Sequence, residues 1–472
     1  MVKIDILGGK NEIGGNKILV EHEGTRIILD FGMSFNQNSK YCSEFLQPRK
    51  CSGLTDFFEL GLLPDMKGFY RTDYLKHMGR TGEEREIDAV LLTHAHADHA
   101  QYIHFLRHDI PIYCTAETKT ILKCIEETGS STFSEYINVC DAFKFNTNGG
   151  KLVRATCKQK ELHPRNYTLM KSEKKEKIGS FEVEMFPIDH SIPGACGFII
   201  YTSEGNLVYT GDIRFHGSNK ELSRKFVEKA GLASPKWLIC EGTRIDSTQI
   251  DSENRVNEEI TEFVSGSGGL IFVEHPVRDL DRMKSIFDSA KANGRDFVVP
   301  LKAAHLIKEL DKLSPFRIKD VKILVPRKGW GLICEKGYEK DIIEKDYESW
   351  ERAYLFLDNS ITCKDLQQNP EKYVVSMSLW EMNQLVDIQP QNAIWIKSSC
   401  DPFCDEMELD EEKKQYWLDR FKITKHSSHA SGHASGCEIL GMINAIKPEN
   451  VIPVHTEKPH LFKQVEANVI ID

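Results

Sequence analysis

Three histidines and an aspartate share one short segment of the sequence. Thr93-His94-Ala95-His96-Ala97-Asp98-His99 follows directly after Ala89 to Leu92, a run with the composition of a buried strand. A loop that leaves a strand can aim alternate side chains at a common point, so His94 and His96 can hold one metal ion while Asp98 and His99 hold a second. These nitrogen and carboxylate ligands suit zinc, and two neighbouring ions can clamp the attacking and leaving oxygens of a hydrolysis. A chance cluster on a loop is the alternative interpretation.

Two metal ions need more ligands than this loop supplies, and three other strand ends offer them. His190, Asp212 and His455 each come directly after a run of strand-forming residues. Taken alone, each of the three would be an ordinary polar residue of the surface or the core. All three, like the loop residues, come directly after a strand. We therefore expect them to complete the two metal sites, with Asp212 as the bridging carboxylate.

The elements that must position these residues follow two patterns. Short strands separated by turns begin with an antiparallel meander that ends at Asp30, and residues 33–86 then form an irregular region with short helices. From about 242 to 421 helix and strand alternate, which indicates a parallel sheet with crossover helices. After Lys422 the chain has a His-rich loop, a helix from Cys437 to Ile446 and a short strand from Asn450 to Val454.

Length and composition fit a protein of more than one domain. The chain has 472 residues, of which 40% are hydrophobic and 28% charged, so we expect two domains or one domain with a large insertion. The net charge of −10 does not favour nucleic-acid binding, but bound metal ions and a locally positive cleft are compatible with it. The thirteen cysteines form no C-x-x-C pair, and no signal peptide or apolar span is recognisable, so we expect a cytoplasmic protein without a membrane segment.

The metal-site residues resemble a known superfamily once they are taken together. The loop of residues 93–99 with Asp30, His190, Asp212 and His455 resembles the motifs of the metallo-β-lactamase superfamily. Three further segments resemble the motifs of its nucleic-acid-processing branch, the β-CASP proteins: Cys240-Glu241-Gly242-Thr243, Ser431-Gly432-His433-Ala434-Ser435 and Pro453-Val454-His455-Thr456-Glu457.

Within that branch the chain is most similar to the ribonuclease J family. The segments that carry this similarity are Leu7-Gly8-Gly9 with Glu12-Ile13-Gly14 and Asn16, His190-Ser191-Ile192-Pro193-Gly194, and His429-Ala430-Ser431-Gly432-His433. The resemblance implies an α/β fold, an αββα metallo-β-lactamase sandwich with an inserted β-CASP domain built on a parallel sheet. It divides the chain into 1–241, the inserted domain 242–421, and a return to the first domain in 422–472.

The resemblance also implies roles for the site residues. Two zinc ions, with manganese possible at one site, would activate a water for in-line attack on phosphorus. His94, His96 and His190 would hold one ion, Asp98, His99 and His455 the other, and Asp212 both, while Asp30 would orient a ligand histidine. His433 would protonate the leaving oxygen with Glu241 behind it, so that Asp98, Glu241 and His433 count as the catalytic residues.

Substrate and partners follow from the same resemblance. We expect a single-stranded RNA substrate, cut internally or from the 5′ end, and a homodimer is possible. Phosphate contacts are expected from the loop before the last helix, all the more if that loop opens the helix, and from one serine of the inserted domain; the candidates are His429, Ser431, Gly432, His433 and Ser376.

Three alternatives stay open on the sequence alone. A DNA nuclease of the same branch would use the same residues. A small-molecule metallohydrolase, such as a lactonase or thioesterase, would use the same zinc loop but would need neither the inserted domain nor His433. A catalytically silent nucleic-acid-binding subunit is disfavoured because every ligand position is filled.

Overall fold

Three large β-sheets organise the molecule. The computed structural model describes residues 1–43, 45–49, 52–129, 133–154, 161–402 and 405–471. We number its strands and helices in chain order. Two additional sheets have two strands each, and they are β6 (Asn138–Cys140) with β9 (Leu162–Pro164) and β7 (Phe145–Asn148) with β8 (Lys151–Arg154).

The first sheet begins with the antiparallel meander that the turn signals predict. β1 pairs with β2 and β2 with β3 in antiparallel register, and the next three strands add in parallel. Along the sheet the strands are β1 (Lys3–Gly8), β2 (Lys17–His22), β3 (Thr25–Leu29), β4 (Ala89–Leu91), β5 (Ile112–Cys114) and β10 (Tyr167–Leu169).

The second sheet contains strands from both ends of the chain. Its middle strands β14, β15 and β23 run parallel, so their carboxyl ends lie side by side. Along the sheet the strands are β11 (Lys175–Ile178), β12 (Phe181–Pro187), β13 (Cys196–Tyr201), β14 (Asn206–Tyr209), β15 (Pro235–Glu241), β23 (Asn450–Val454) and β24 (Asn468–Val469).

These two sheets face each other across one hydrophobic core. Ile18 and Leu29 of the first sheet belong to the same buried cluster as Phe198 and Tyr209 of the second. Alternate residues of the strands point away from this core and pack under helices, as Val208 does in the cluster that contains Phe226. The result is the αββα sandwich that the sequence predicts.

The third sheet is parallel throughout, as the helix-strand alternation predicts. Every pairing within it is parallel. Along the sheet the strands are β19 (Ser360–Ile361), β18 (Lys322–Leu324), β17 (Asp296–Pro300), β20 (Tyr373–Ser376), β16 (Ile271–Glu274), β21 (Ile394–Lys397) and β22 (Thr424–Ser427). β22 lies just beyond the predicted boundary at Phe421, so the sheet ends a few residues later than that boundary; the three-part division itself stays a prediction.

Fourteen α-helices are present in the described residues. The longer ones cover the sheets, and α6 packs beside α14 on the second sheet. They are α1 (Phe35–Tyr41), α2 (Thr55–Glu59), α3 (Thr72–His77), α4 (Ala97–Ala100), α5 (Ala116–Thr128), α6 (Lys220–Leu232), α7 (Glu253–Gly266), α8 (Leu280–Ala292), α9 (Leu301–Leu310), α10 (Lys340–Asp346), α11 (Cys363–Gln368), α12 (Leu385–Ile388), α13 (Asp405–Phe421) and α14 (Gly436–Ile446).

The region 33–86 holds the three short helices α1 to α3, in line with the expectation of an irregular segment. Part of it is nevertheless packed into the core, since Leu54, Phe57 and Phe69 lie in the same buried cluster as Val90 of the first sheet. None of the helices in the described residues has the length and apolar character that crossing a bilayer requires.

Candidate metal centre

The predicted ligands meet at the carboxyl ends of strands from both facing sheets. Residues 94–99 leave β4 of the first sheet, and His190, Asp212 and His455 follow β12, β14 and β23 of the second. Because β14, β15 and β23 are parallel neighbours, the residues that follow them emerge at one edge. The two sheets pack against each other through their buried inner faces, so the strand ends, and the ligand candidates that follow them, are held at one place.

The loop of residues 94–99 fits only because glycines lie against it. A Cβ on Gly32 would stand 1.7 Å from the carbonyl oxygen of Asp98, and one on Gly14 would stand 2.7 Å from the Cβ of Asp98. The backbones of Asp30 and His455 are left-handed, with φ of 57° and 53°. Such conformations in non-glycine residues cluster at functional sites, where the surrounding structure holds them.

Four of the predicted ligands form a first group around a common point. His96 Nδ1 lies 3.1 Å from His94 Nε2 and 3.2 Å from His190 Nε2. Asp212 Oδ2 is 3.6 Å from His94 Nε2 and 3.7 Å from His190 Nε2. The ligand atoms of all four residues lie within 4.8 Å of one another. This is the set that the sequence assigns to one ion.

The second group shares Asp212 with the first. Its ligand atoms, from Asp98, His99, His455 and Asp212, again lie within 4.8 Å of one another. Asp98 Oδ2 is 3.1 Å from His455 Nε2, and Asp212 Oδ2 is 3.1 Å from His99 Nε2. Asp212 therefore occupies the bridging position between two three-residue sets, the arrangement expected from the sequence.

In four of the ligand histidines, the ring nitrogen that does not face the common point contacts a neighbouring polar group of the protein. His190 Nδ1 donates to the carbonyl oxygen of Gly432 over 2.6 Å. His99 Nδ1 lies 2.8 Å from Asp30 Oδ2, the contact predicted for Asp30. His94 Nδ1 and His455 Nδ1 lie 3.0 Å and 2.8 Å from two threonine hydroxyls, those of Thr93 and Thr243. Such outer partners fix the tautomer and direction of metal-ligating histidines.

The residues fit a transition-metal pair. His99 Nε2 and Asp212 Oδ1 are buried and have no hydrogen-bond partner in the described part of the chain. Imidazole nitrogens that face one another at about 3 Å repel unless a proton or a cation lies between them. Burial lowers the pKa of His94 and His190 and that of His96 to about 4, so all three are neutral, the form that binds metal.

A glutamate-histidine pair stands beside the bridging carboxylate. His433 Nδ1 lies 3.1 Å from both carboxylate oxygens of Glu241 and 4.0 Å from Asp212 Oδ2. Burial alone would lower the pKa of His433, but the charges of Glu241 and Asp212 raise it to about 9. Glu241 is fixed in turn, since its two oxygens accept hydrogen bonds from the Ile213 amide and the Thr243 hydroxyl. The pair can hold a charged imidazolium next to the metal groups.

The loop that carries His433 does not open the helix. α14 begins at Gly436, and Ser435 caps it through a reciprocal pair of hydrogen bonds with Glu438. Ser431 and Gly432 precede the cap, so they do not open this helix, and the phosphate contact expected from them stays a prediction. The half-exposed Ser431 accepts from His433 N through its hydroxyl, and its carbonyl oxygen lies 2.8 Å from His216 Nε2.

The two other predicted phosphate contacts have protein partners. His429 Nδ1 lies 3.1 Å from the guanidinium of Arg282, and burial lowers the pKa of His429 to about 4. Ser376 is 4% exposed, and its hydroxyl lies 2.9 Å from His275 Nε2. No contact joins Ser376 to the metal groups among the described residues, and its role stays a prediction.

Sequence reasoning missed a buried charged network beneath the site. Arg214, two residues after Asp212, donates to Asp189, the neighbour of His190, over 3.1 Å. Arg214 also donates to Glu253 and Asp281 of the parallel-sheet region. Arg282 donates to Glu253 over 2.7 Å and to the carbonyl oxygen of Ala430 over 3.1 Å. The network ties the ligand loops to α7 and α8, and no spacing rule marks these arginines in the sequence.

Comparisons with known proteins agree with this geometry. The family described as "Beta-lactamase superfamily domain" matches residues 64–249, and "Zn-dependent metallo-hydrolase RNA specificity domain" matches residues 420–465. Ribonuclease J of Mycolicibacterium smegmatis is 25% identical over 98% of this chain and 70% of its own length. Ribonuclease J of Pyrococcus abyssi is 24% identical over 97% of this chain and 90% of its own length.

A solved structure shares the fold. The crystal structure of a protein of unknown function from Enterococcus faecalis superposes with a TM-score of 0.74 at 22% identity, covering 99% of this chain and 97% of the other. With the paired His/Asp groups and the two matching domains, the chain belongs to the metallo-β-lactamase superfamily and has the fold and metal site of a metallohydrolase, with similarity to ribonuclease J along its full length.

Proposed function

We propose that the protein is a zinc-dependent ribonuclease that hydrolyses phosphodiester bonds of single-stranded RNA, as an endonuclease, a 5′-to-3′ exonuclease or both, in RNA processing or decay. The observation that carries this proposal is the His433–Glu241 pair beside Asp212, because a small-molecule hydrolase with a good leaving group has no need of a dedicated acid there. The similarity to ribonuclease J supports RNA as the substrate.

Seven residues would hold the ions in this proposal. His94, His96 and His190 would hold one, Asp98, His99 and His455 the other, and Asp212 both. When bound, two zinc ions lower the pKa of a water and neutralise charge on the phosphate. Manganese at one of the two sites is compatible with the same ligand set.

Side chains of the protein would orient the metal ligands and supply the proton for the leaving group. Asp30, Thr93 and Thr243 keep the ligand rings directed inward. His433 is charged at neutral pH because Glu241 raises its pKa, so it holds a proton for the leaving 3′ oxygen. Without that proton the oxygen would leave as an alkoxide. Ser431 and His429, in the same loop, would contact the RNA backbone.

The test is a cleavage assay with metal analysis. The purified full chain, with about two zinc ions per molecule, is incubated with 5′-labelled single-stranded RNA and with DNA of the same sequence, with and without chelator. We expect RNA cleavage that chelator abolishes and zinc restores, and the product lengths separate internal from 5′-end cutting. Cleavage of DNA alone would favour the DNA nuclease, and cleavage of neither polymer, with turnover of a lactone or thioester, would favour the small-molecule hydrolase.

A further inference from the structure

The loop that carries His433 is held through its backbone carbonyl oxygens. Residues 428–434 connect β22 to Ser435, which caps α14. Four consecutive carbonyl oxygens of this loop accept hydrogen bonds from side chains of other segments, over 2.6 to 3.3 Å. The acceptors are Ala430, Ser431, Gly432 and His433, and the donors are, in the same order, Arg282, His216, His190 and Arg244. A loop between a strand and a helix is thus fixed by donors from four other places in the chain.

Arg244 is the donor that contacts the proposed acid itself. It comes three residues after Glu241, whose carboxylate lies 3.1 Å from His433 Nδ1. The guanidinium of Arg244 donates to the carbonyl oxygen of His433 over 3.3 Å. Its second terminal nitrogen donates to Ser247 Oγ over 3.3 Å and to the carbonyl oxygen of Gln249 over 3.4 Å. One short segment therefore contacts His433 twice, with Glu241 at the imidazole and Arg244 at the backbone.

Asp251 completes a closed set of hydrogen bonds around the same loop. This carboxylate is buried, and its Oδ2 accepts from the Arg244 guanidinium over 2.9 Å and from the Ser431 amide over 3.0 Å. The Ser431 hydroxyl accepts from the His433 amide over 3.1 Å, and the His433 carbonyl oxygen accepts from Arg244. Four hydrogen bonds thus join Arg244, Asp251, Ser431 and His433 in a closed circuit, which we call the Arg244–Asp251 network.

Arg244 also borders a cavity, so binding of a substrate phosphate is the other role to consider. The cavity has a volume of about 570 Å³, and its wall includes Arg244, Asp251 and Ser431. The side chain of Arg244 is only 20% exposed, however. Its two terminal nitrogens carry four N–H groups, and these face four protein acceptors. A phosphate would have to displace one of these acceptors, so the contacts favour a role in positioning.

The position of a general acid decides how well it works. Glu241 contacts Nδ1 of His433, so Nε2 is the nitrogen that would deliver the proton to the leaving oxygen. Where Nε2 lies depends on where the backbone holds the residue. The Arg244–Asp251 network binds both the amide and the carbonyl oxygen of His433. A misplacement of a reacting group by about 1 Å can cost about 100-fold in rate.

We propose that Arg244 and Asp251 are positioning residues for His433, which hold the main chain of its loop so that the imidazole meets the leaving oxygen of the RNA. This inference rests on the proposed function and adds two residues to it. Within the described part of the chain, neither residue has a hydrogen bond or ion pair to a proposed metal ligand. They act on the rate of cleavage only through His433.

The test compares single and double variants on two substrates. Arg244→Ala, Arg244→Lys, Asp251→Ala and Asp251→Asn are made in the full, zinc-loaded chain, and the two alanine variants also in a His433→Ala background. The constants kcat and KM are measured on single-stranded RNA and on a phosphodiester with an activated leaving group. Zinc content and melting temperature are measured for every variant.

Arg107→Ala is the matched control. The side chain of Arg107 is 16% exposed, close to the 20% of Arg244, and it likewise donates to an aspartate, Asp109, and to a backbone carbonyl oxygen, that of Glu83. Arg107 precedes β5 at the amino end of that strand, whereas the metal groups follow the carboxyl ends of strands. Arg107→Ala should therefore lose a comparable amount of stability and keep the kcat of the parent on RNA.

We expect Arg244→Ala and Asp251→Ala to lower kcat on RNA about 10- to 100-fold, with KM and zinc content unchanged. Arg244→Lys and Asp251→Asn should lie between these variants and the parent, because each keeps part of the hydrogen bonding. The activated phosphodiester needs less protonation and should show a much smaller defect. In the His433→Ala background neither alanine variant should lower kcat further, because the acid that they position is already absent.

A merely structural defect would give a different pattern, since it would lower the rate on both substrates and in both backgrounds. If the parent cleaves RNA and the alanine variants match it in kcat, or lower kcat equally in the His433→Ala background, the positioning role is overturned and the proposed function stands. A rise in KM at unchanged kcat, or a loss of zinc, would overturn it as well. If the alanine variants do not fold, Arg244→Lys and Asp251→Asn carry the same comparison. If the parent does not cleave RNA, the proposed function and the inference fall together.

Discussion

The second and third sheets both place polar residues at the carboxyl ends of parallel strands, with opposite results. In the second sheet Asp212 and His455 follow such strands and turn ligand atoms toward a common point, and Asp212 Oδ1 has no hydrogen-bond partner among the described residues. In the third sheet Ser376 and Ser398 sit at equivalent ends, but their hydroxyls are hydrogen-bonded to His275 and to Arg282 with Ser428.

The difference shows that a polar residue at a strand end does not by itself form a ligand-binding site. What separates the two edges is whether the fold itself satisfies the polar atoms. Around Asp212 the protein supplies outer partners and leaves the inner atoms for a ligand. In the third sheet the serine hydroxyls are hydrogen-bonded to neighbouring side chains and to a backbone carbonyl. Four predictions test this contrast.

The largest effect on metal content and activity is expected from replacing Asp212, which is shared by the two metal groups. Asp212→Ala should lose both zinc ions and all RNA cleavage, because one carboxylate serves both groups. Metal content by atomic absorption and cleavage of labelled RNA measure it. Asp410→Ala, which removes a half-buried carboxylate on α13 that pairs with Lys413 far from the metal ligands in sequence, is the control and should retain both. An Asp212→Ala protein that keeps two zinc ions would contradict the bridging role.

We expect the proposed acid, His433, to affect the rate of RNA cleavage but not the zinc content. His433→Ala should slow RNA cleavage about 10²- to 10⁴-fold with zinc content unchanged, because His433 is paired with Glu241 and belongs to neither set of proposed ligands. A phosphodiester with an activated leaving group needs less protonation and should show a much smaller defect. His460→Ala, at an exposed position, serves as the control. Full RNA cleavage by His433→Ala, or loss of its zinc, would show that another group is the acid.

An outer partner should have an intermediate effect. Thr243→Val removes the hydroxyl that contacts both His455 Nδ1 and Glu241, and we expect zinc affinity to fall about 10- to 100-fold. Competition with a coloured chelator measures this affinity. Thr261→Val, whose hydroxyl bonds only within α7 and to α8, is the matched control. Equal zinc affinity in both variants would mean that the ring of His455 needs no such support.

The smallest effect is expected in the third sheet. Ser376→Ala should lower the free energy of unfolding by about 1 kcal/mol through loss of the hydrogen bond to His275, and leave kcat/KM on RNA unchanged. Denaturant unfolding and the cleavage assay measure the two quantities. A fall in RNA affinity without a fall in stability would instead support the phosphate contact predicted for Ser376.

Much of the fold could be predicted because its signals are local. Local caps mark the starts of α7 and α8, where the side chains of Ser252 and Asp279 accept hydrogen bonds from the first helical turn. The strand β23 is where its composition predicts it. The start of α14 also had a local signal, the capping-box spacing of Ser435 and Glu438, which excludes Ser431 and Gly432 from that helix.

The unpredicted part of the site depends on contacts between distant residues. Arg214 and Arg282 acquire their roles from partners such as Asp189, Glu253 and Ala430. Arginine has no ligand spacing, and a single sequence does not reveal which arginines join a buried network until the fold is assembled. For the same reason the packing of region 33–86 onto the first sheet could not be predicted from its irregular pattern.

The pairing of Asp98 with His455 spans 357 positions of the chain. His455 follows β23, which lies between β15 and β24 in the second sheet. All strands of the third sheet precede β23 in the sequence. During synthesis on a ribosome the residues of the first metal group therefore emerge before the second group is complete, because His455 follows the whole third sheet in the sequence. In the proposed ribonuclease the second metal group would therefore be complete only once β23 has joined the second sheet.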